Sequence, residues 1–295
     1  MSRSIKILKT TDETLAWRSS LSQEQRVGFV PTMGALHEGH GALLKRIRSR
    51  CDVSVLSIFV NPTQFGANED LAKYPRTFEH DLALAQELGV DVVFAPTPEV
   101  MYPHGYSTYV EETALTQPLC GRFRPGHFRG VTTIVLKLFN LIRPNLALFG
   151  LKDAQQFFVL HKMAHDLNLN VAVEGVPTVR ESDGLAMSSR NAYLSAQERA
   201  LAPALYRELQ MVANVLKNGQ EPARTLNESS ARLNEQGFRV QYLECVELPL
   251  FNAANVISAN SSYLLAIAAQ LGNTRLIDNI LINPERLSTF GVRLN

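Results

Sequence analysis

The segment spanning residues 26–50 constrains the fold of this chain more than any other stretch. It begins with a short run, residues 26–30, whose apolar and β-branched content is typical of a buried strand. We expect Pro31 to end that strand, because proline offers no N–H to a sheet ladder. Apolar residues then recur at helical spacing over residues 43–47. The segment therefore predicts a strand that passes directly into a helix.

Two histidines and two glycines lie at this strand–helix junction: His37, His40, Gly34 and Gly39. A helix N-terminus has unpaired N–H groups and partial positive charge, so it favours anions. The glycines would let backbone approach a ligand closely, and each histidine can donate to a phosphate oxygen, more strongly when protonated. Solvated side chains and a metal site are the alternatives, although no clear cysteine or acidic partner set accompanies the pair. The spacing at such a junction favours a nucleotide phosphate site.

Composition and charge restrict the class of protein. A chain of 295 residues suggests about two domains, and its 45% hydrophobic and 19% charged content is that of an ordinary globular protein. A net charge of +1 is not the excess of positive charge typical of proteins that bind nucleic acid or an anionic membrane, so neither is expected as a partner. The first residues lack the apolar core of a signal peptide, and no run has the length of a membrane span. With three well-separated cysteines outside any C-x-x-C pair, these features predict a cytoplasmic protein.

Apolar strands alternate with helices through the first part of the chain. Strands are expected at residues 5–8, 26–30, 53–60, 90–95, 146–149 and from 171 onward, with helices at 12–25, 78–88, 131–142 and 154–167. This alternation predicts an α/β fold, a Rossmann-like parallel sheet with helices on both faces, which binds ligands beyond the carboxyl ends of its strands. No G-x-G-x-x-G is present, which argues against the dinucleotide-binding version. Residues 96–130, rich in proline, glycine, tyrosine and histidine, are expected to form a mobile loop region.

The pattern changes after about Gly184. Helices are expected at residues 195–217 and 222–235, and strands at 240–247, 263–269 and 274–282. This order predicts a smaller C-terminal α+β domain. We therefore expect a Rossmann-like domain at residues 1–184 and a second domain at residues 185–295 that closes over the site.

A second polar cluster follows the strand expected at residues 146–149. Gly150 ends that strand and Asp153 is a good N-cap for the next helix, so Lys152 lies at another carboxyl end. An exposed lysine near a turn is usually a solvated charge. Between a strand and a helix, however, it favours a phosphate contact as a point charge. Gln156, on the first turn of that helix, would face the same crevice.

A third cluster, Ser188, Ser189 and Arg190, lies near the expected domain junction. Two hydroxyls and a guanidinium offer several donors to a triphosphate. Such a run often only begins a helix or turn, so by itself it is weak support. Its position suits a flap that closes over a nucleotide.

Six motifs occur in one order along the chain: PTMGALHEGH (31–40), SIFVNPTQFG (57–66), YPRT (74–77), RPGHFRGV (124–131), FGLKDAQQ (149–156) and MSSRN (187–191). RLIDN (275–279) follows near the C-terminus. In these motifs the chain resembles the pantoate–β-alanine ligase (pantothenate synthetase) family, of the nucleotidylyltransferase and class I aminoacyl-tRNA synthetase-like superfamily. The resemblance implies ATP-dependent, magnesium-assisted condensation of pantoate with β-alanine to pantothenate, AMP and pyrophosphate through a pantoyl adenylate. It also implies a homodimer whose first domain binds ATP and pantoate.

The resemblance further assigns residues to the site. Those implied to be catalytic are His37, His40, Lys152, Ser188, Ser189 and Arg190. Those implied to bind ATP are Met33, Gly34, Ala35, Leu36, His37, Glu38, Gly39, His40, Gly150, Leu151, Lys152, Asp153, Val179, Met187, Ser188, Ser189 and Arg190. Gln64 and Gln156 correspond to pantoate contacts, and Gln64 also to a β-alanine contact. The β-alanine carboxylate needs a cationic partner, for which Arg124 and His127 are candidates from the loop. No residue is assigned as a metal ligand.

Three other functions fit part of the pattern. A nucleotidylyltransferase would share the histidine cluster, but its usual serine–threonine–arginine run is replaced here by MSSRN. A tRNA synthetase would need a larger and more basic chain to hold RNA. A non-catalytic nucleotide sensor would be expected to have lost His37, His40 or Lys152, and all three are present.

Overall fold

The structure, a computed structural model that describes residues 4–67, 69–290 and 292–294, is organised around a parallel sheet. Its strands are β1 (Lys6–Leu8), β2 (Val27–Thr32), β3 (Val53–Ile58), β4 (Val92–Phe94), β5 (Leu146–Gly150), β6 (Ala172–Val176) and β11 (Arg293–Leu294). Within the described residues the strand order is β1-β4-β3-β2-β5-β6-β11, and every pair is parallel. From β2 the chain builds the sheet first toward β3 and later toward β5. The order therefore reverses between β2 and β5, and such a reversal opens a crevice at the carboxyl ends of the two strands.

Helices cover both faces of this sheet, as predicted. They are α1 (Thr11–Ser20), α2 (Glu38–Arg48), α3 (Phe78–Glu87), α4 (Pro98–Met101), α5 (Cys120–Phe123), α6 (His127–Ile142) and α7 (Ala154–Asp166). Side chains of successive strand residues point to opposite faces. Phe29 and Val55 accordingly share one core with α1, α6 and α7, whereas Val30 and Leu56 share another with α2 and α3.

A separate antiparallel sheet forms the second domain. It is made of β7 (Phe238–Glu247), β8 (Asn252–Ala253), β9 (Tyr263–Leu271) and β10 (Thr274–Ile282), in the order β10-β9-β7-β8. The helices α8 (Ala196–Leu201), α9 (Ala204–Lys217) and α10 (Pro222–Glu235) precede it, and α9 and α10 share its apolar core. The boundary between residues 184 and 185 stays a prediction, because β11 returns to the first sheet and pairs with β6. The outer ends of the two predicted domains, residues 1–3 and 295, lie outside the described residues.

The expectation that Pro31 ends its strand is wrong, because β2 continues to Thr32. The Thr32 carbonyl accepts a hydrogen bond from the Phe59 N–H (3.0 Å), so Thr32 faces β3. Backbone groups of adjacent residues point to alternate sides of a strand, and Pro31 therefore faces β5. The register of β2 with β5 includes only Gly28 and Phe29. The missing N–H of Pro31 thus falls outside the ladder.

Residues 96–130 do not form the unpacked loop that their composition suggested. Met101 and Leu119 are fully buried, and Leu115 nearly so. The last helix of the region, α6, begins at His127 and not at residue 131, after Gly126 with φ +78°. Apolar residues separated by proline and glycine show no helical or strand period, yet they still pack. Within the described residues, no helix is long and apolar enough to cross a membrane.

The helix expected at residues 195–217 is two helices. Pro203 lies between α8 and α9, where a residue without an N–H cannot continue the backbone hydrogen bonds. Ser195 caps the first with a reciprocal pair of bonds to Glu198.

Candidate active site

A cavity of about 230 Å³ opens where β2 and β5 end. Most of the residues assigned from the sequence line it: Met33, His37, Gly39, His40, Gln64, Arg124, His127, Gly150, Lys152, Asp153, Gln156, Val179, Met187, Ser188, Ser189 and Arg190. Gly34, Ala35, Leu36, Glu38 and Leu151 are not among its lining residues. Leu36 and Leu151 instead bury their side chains in the two cores of the parallel sheet.

The loop between β2 and α2 is held by an aspartate that the sequence analysis missed. Asp81, 1% exposed on α3, accepts from the Ala35 N–H (2.8 Å) and from the Leu36 N–H (2.8 Å). Gly34 and Ala35 have positive φ angles, +83° and +50°, which the aspartate stabilises through these bonds. Ala35 and Leu36, assigned to ATP, therefore direct their N–H groups to Asp81. The sequence did contain a signal for this role, because Asp81 is a carboxylate on the face of α3 that is buried.

The histidine pair is fixed in one tautomer by the backbone. The His37 Nδ1 accepts from the Gly39 N–H (3.1 Å), and the His40 Nδ1 accepts from the His37 N–H (3.3 Å). A neutral imidazole whose Nδ1 is an acceptor carries its proton on Nε2. Each ring therefore offers one N–H donor, and the rings lie with centroids 4.1 Å apart.

Both histidines are neutral at physiological pH. Burial, aided by the positive charge of Lys152, lowers the pKa of His37 to about 4. Burial, together with the neighbouring His37 and Lys152, lowers the pKa of His40 to about 3. The protonated form considered from the sequence is therefore not the resting form, and the pair supplies hydrogen bonds without charge.

Lys152 lies across the crevice, on the short 3₁₀ turn Leu151–Asp153 between β5 and α7. Its Nζ is 3.9 Å from the Asp153 carboxylate. Asp153 occupies the N-cap position of α7 but makes no side-chain capping bond, so the predicted capping role is wrong. About half of its side chain is exposed. The carboxylate is therefore free to turn toward a ligand in the cavity.

The amide of Gln64 is held in one orientation by Asn61. Asn61 is 1% exposed, and its Nδ2 donates to the Gln64 Oε1 (3.0 Å). The Asn61 Oδ1 accepts from the hydroxyls of Thr63 (2.9 Å) and Tyr102 (2.7 Å), so the asparagine itself cannot flip without losing partners. The Gln64 Nε2 consequently points the other way, toward Met33 Sδ at 3.1 Å. Gln64 presents a donor to the cavity.

Arg124 and His127 lie behind Gln64 and are engaged with it. The Arg124 guanidinium donates to both carboxylate oxygens of Glu69 (2.6 Å each), to the His127 Nε2 (3.1 Å) and to the Gln64 carbonyl (3.4 Å). The His127 Nδ1 also contacts that carbonyl (2.8 Å). Burial, with Arg124 beside it, lowers the pKa of His127 to about 4. His127 is therefore neutral, and the cationic candidate for a carboxylate is Arg124 alone.

The segment at residues 187–190 is tied to residues 70–74, on the other side of the cavity. The Arg190 Nε and Nη2 donate to the two oxygens of Asp70 (2.9 and 3.0 Å). Three residues further on, the Tyr193 hydroxyl donates to the Lys73 carbonyl (3.0 Å). Asp70 follows Glu69 directly, so two adjacent carboxylates hold the two arginines of the cavity. The sequence analysis missed both acidic residues, which lie beyond the Gln64 motif.

Within the described residues, no group of three or more histidine, cysteine, aspartate or glutamate side chains could hold a metal ion. A metal ion that arrives bound to a substrate needs fewer ligands from the protein. Mg²⁺ commonly binds through one or two carboxylates together with substrate phosphates. The half-exposed carboxylate of Asp153, in the lining of the cavity, fits that pattern.

Comparisons of the sequence with known proteins agree on one family. A family model described as pantoate-β-alanine ligase matches residues 6–281. A pantothenate synthetase of Syntrophotalea carbinolica is 53% identical over 265 residues, which cover 88% of this chain and 92% of that protein. One of Thermotoga petrophila is 48% identical over 281 residues, which cover 94% of this chain and 100% of that protein.

Solved structures show the same similarity. The crystal structure of pantothenate synthetase from Thermus thermophilus superposes with a TM-score of 0.86 at 45% identity, covering 94% of this chain and 99% of that one. A pantoate-β-alanine ligase from Francisella tularensis, crystallised with β-γ ATP and β-alanine, has a TM-score of 0.80 at 34% identity, covering 94% and 97%.

Proposed function

The chain belongs to the pantoate–β-alanine ligase family, and we propose that it joins pantoate to β-alanine, with ATP, in the cavity where β2 and β5 end. The observation that carries this proposal is the meeting of two phosphate-binding junctions on neighbouring strands. His37 and His40 follow β2, Lys152 follows β5, and all three side chains line one cavity. A carboxylate can be activated there by ATP, because donors surround the point where phosphate charge develops.

In the first step a carboxylate oxygen of pantoate attacks the α-phosphorus of ATP. The bond from that phosphorus to the bridging oxygen breaks, and pyrophosphate leaves with the electron pair. Charge builds on the phosphate oxygens during this step, and preorganised donors stabilise it. Lys152 supplies positive charge, and the two neutral histidines supply Nε2–H donors. Ser188, Ser189 and Arg190 contribute donors from the opposite side of the cavity.

In the second step the unprotonated amine of β-alanine attacks the acyl carbon of the adenylate. The bond from that carbon to the phosphate oxygen breaks, AMP leaves, and the attacking nitrogen releases one proton as the amide forms. Gln64 and Gln156 hold pantoate as neutral hydrogen-bonding groups, which leave its carboxylate nucleophilic. Arg124 lines the same cavity, so its charge favours the β-alanine carboxylate even though its donors are shared with Glu69.

Magnesium would enter with ATP, held by the phosphates and by Asp153. When bound, it neutralises charge on the phosphates and on the departing pyrophosphate. We also propose a homodimer and a cytoplasmic location, which rest on the family resemblance and on the sequence. Analytical ultracentrifugation tests the first of these.

The intermediate is proposed to be a non-covalent adenylate. Cys51 and Cys245 are buried, and burial raises the pKa of both thiols, that of Cys245 to about 12. Cys120 is not among the described residues that line the cavity. A thioester route would need a thiolate beside the acyl group, and none of the three is placed to supply it.

Isotope exchange tests this two-step scheme. With pantoate present and β-alanine absent, labelled pyrophosphate should enter ATP. Label in the carboxylate oxygen of pantoate should appear in AMP after complete turnover. Exchange that requires β-alanine, with no transfer of that oxygen to AMP, would refute the scheme.

A further inference from the structure

The motif RLIDN at residues 275–279 has no part in the chemistry described so far. It lies on β10, in the second domain, yet two of its residues reach the cavity segments of the first. We propose that Asp278 and Asn279 are positioning residues that fix the segments 150–153 and 187–190 relative to each other. This inference rests on the proposed role of Lys152 in adenylation.

Asn279 holds the backbone that carries Lys152. Its side chain is 8% exposed, and its Nδ2 donates to the Leu151 carbonyl (2.8 Å) and to the Lys152 carbonyl (3.0 Å). Both N–H groups of the Asn279 amide therefore donate to the same turn, residues 151–153. That turn joins β5 to α7 and has no other side chain of the second domain bonded to it among the contacts described.

Asp278 holds the base of the other segment through Arg180. The Arg180 guanidinium donates to both oxygens of Asp278 (2.6 and 2.9 Å), and it also donates to the Gly184 carbonyl (3.1 Å). Its flat face lies 3.4 Å from the ring centre of Tyr206. Arg180 also pairs through its backbone with Ala186, next to the segment that begins at residue 187. A planar guanidinium bound on its edge and on its face has a single orientation.

One strand can serve both segments because adjacent side chains of a strand point in opposite directions. Asp278 and Asn279 are paired in register with Ile267 and Ala266 of β9, so their spacing is set by a regular sheet. A paired charge as buried as Asp278 is a poor source of stability. It is well suited to fixing geometry, and a misplacement of about 1 Å in such a site can cost about a hundredfold in rate.

Asn279→Ala tests the first half of the proposal, and Asn283→Ala is its matched control. Asn283 follows β10 directly, and its Nδ2 likewise bridges two carbonyls, those of Ser258 (3.1 Å) and Ser261 (3.0 Å). Asn279→Ala should lower kcat about tenfold to a hundredfold, with KM for pantoate changed less than about threefold. Asn283→Ala also places alanine at a φ of +52°, so it should lose at least as much Tm and still keep its kcat. If Asn279→Ala does not fold, Asn279→Ser replaces it, since one short hydroxyl cannot span both carbonyls.

A double variant separates positioning from general damage. If Asn279 acts through Lys152, adding Asn279→Ala to Lys152→Ala should lower pyrophosphate exchange no more than about twofold further. Losses that multiply, or a normal kcat in Asn279→Ala, would overturn the inference while leaving the proposed function intact. A fully active Lys152→Ala would remove the role of Lys152 on which this inference rests and would leave the proposed function intact, whereas the absence of pantoate-dependent exchange in the unsubstituted protein would refute the proposed function. Arg180→Lys tests the proposed role of Asp278, because lysine keeps the positive charge but cannot donate to both carboxylate oxygens as the guanidinium does. This variant should raise KM for ATP and leave KM for β-alanine unchanged. Equal changes in both KM values would contradict a positioning role for Asp278.

Discussion

Replacing Gly39 with alanine should impair catalysis while leaving the fold stable. A Cβ at this position would lie 2.8 Å from the His37 Cε1 and 2.9 Å from its Nδ1. Non-bonded carbons pack at roughly 3.5 Å, so the imidazole would have to move by about 0.7 Å. The ring accepts the Gly39 N–H and contacts the tilted ring of His40, and its movement therefore displaces the Nε2 donors of both histidines.

The expected loss follows from that displacement. A misplacement of about 1 Å can cost about a hundredfold, so kcat/KM should fall about tenfold to a hundredfold. In free energy this is roughly 1.4 to 2.7 kcal/mol of transition-state stabilisation. Stability should change little, because the gain in helix propensity of up to about 1 kcal/mol opposes the strain on the bond by which His37 caps α2. AMP formation with saturating pantoate and β-alanine, and Tm from thermal unfolding, measure the two effects.

Gly41→Ala is the control, two residues further along α2. Its Cβ would meet Leu88 Cδ1 at 3.6 Å, an ordinary contact. Activity should therefore stay within about twofold of the unsubstituted protein. Full activity of Gly39→Ala would show that the placement of His37 does not limit the reaction. An equal loss in both variants would assign the effect to the helix and not to the histidine.

Three further outcomes are expected. Lys152→Ala should slow adenylation about a hundredfold to a thousandfold, as when one preorganised donor is lost. Its Tm should change little, because the ion-pair contact of Lys152 to Asp153 is 3.9 Å long. Rapid single-turnover formation of adenylate by this variant would show that Lys152 takes no part in the step. Arg124→Ala should raise KM for β-alanine more than KM for ATP, and equal increases in steady-state assays would indicate a general structural role. The free energy of unfolding should fall as pH decreases from about 6.5 toward 4. The lowered pKa values of His37 and His40 make the folded protein bind fewer protons than the unfolded chain in this range. Equal free energies of unfolding from urea titrations at about pH 7.5 and about pH 5 would contradict this.

Elements with sharp local signals were predicted closely from the sequence. The bounds of α10 agree at both ends, since Pro222 occupies its first turn, where a missing N–H costs nothing. β10 also agrees, because its apolar residues continue from the turn at Gly272 up to Asn283. The junctions that bear His37, His40 and Lys152 were placed correctly at strand ends for the same reason.

Residues that hold the site from a distance could not be predicted in this way. Asp81 bonds to backbone 46 residues earlier, Glu69 to a side chain 55 residues later, and Asn279 to a carbonyl 127 residues earlier. Each is a polar residue with no local period that marks its partner. Their positions follow from the assembled sheets, so only the three-dimensional structure shows that they support the cavity.

The fixed orientation of the Gln64 amide also determines which ligand groups it can bind in the cavity. Asn61 donates to the Oε1 and the Nε2 is turned toward Met33 Sδ, so the group that Gln64 presents to the cavity is its NH₂. This NH₂ group can donate to a carboxylate or hydroxyl oxygen, but not to an ammonium, which has no lone pair. We therefore expect the proposed contact between Gln64 and β-alanine to be made by the carboxylate of β-alanine.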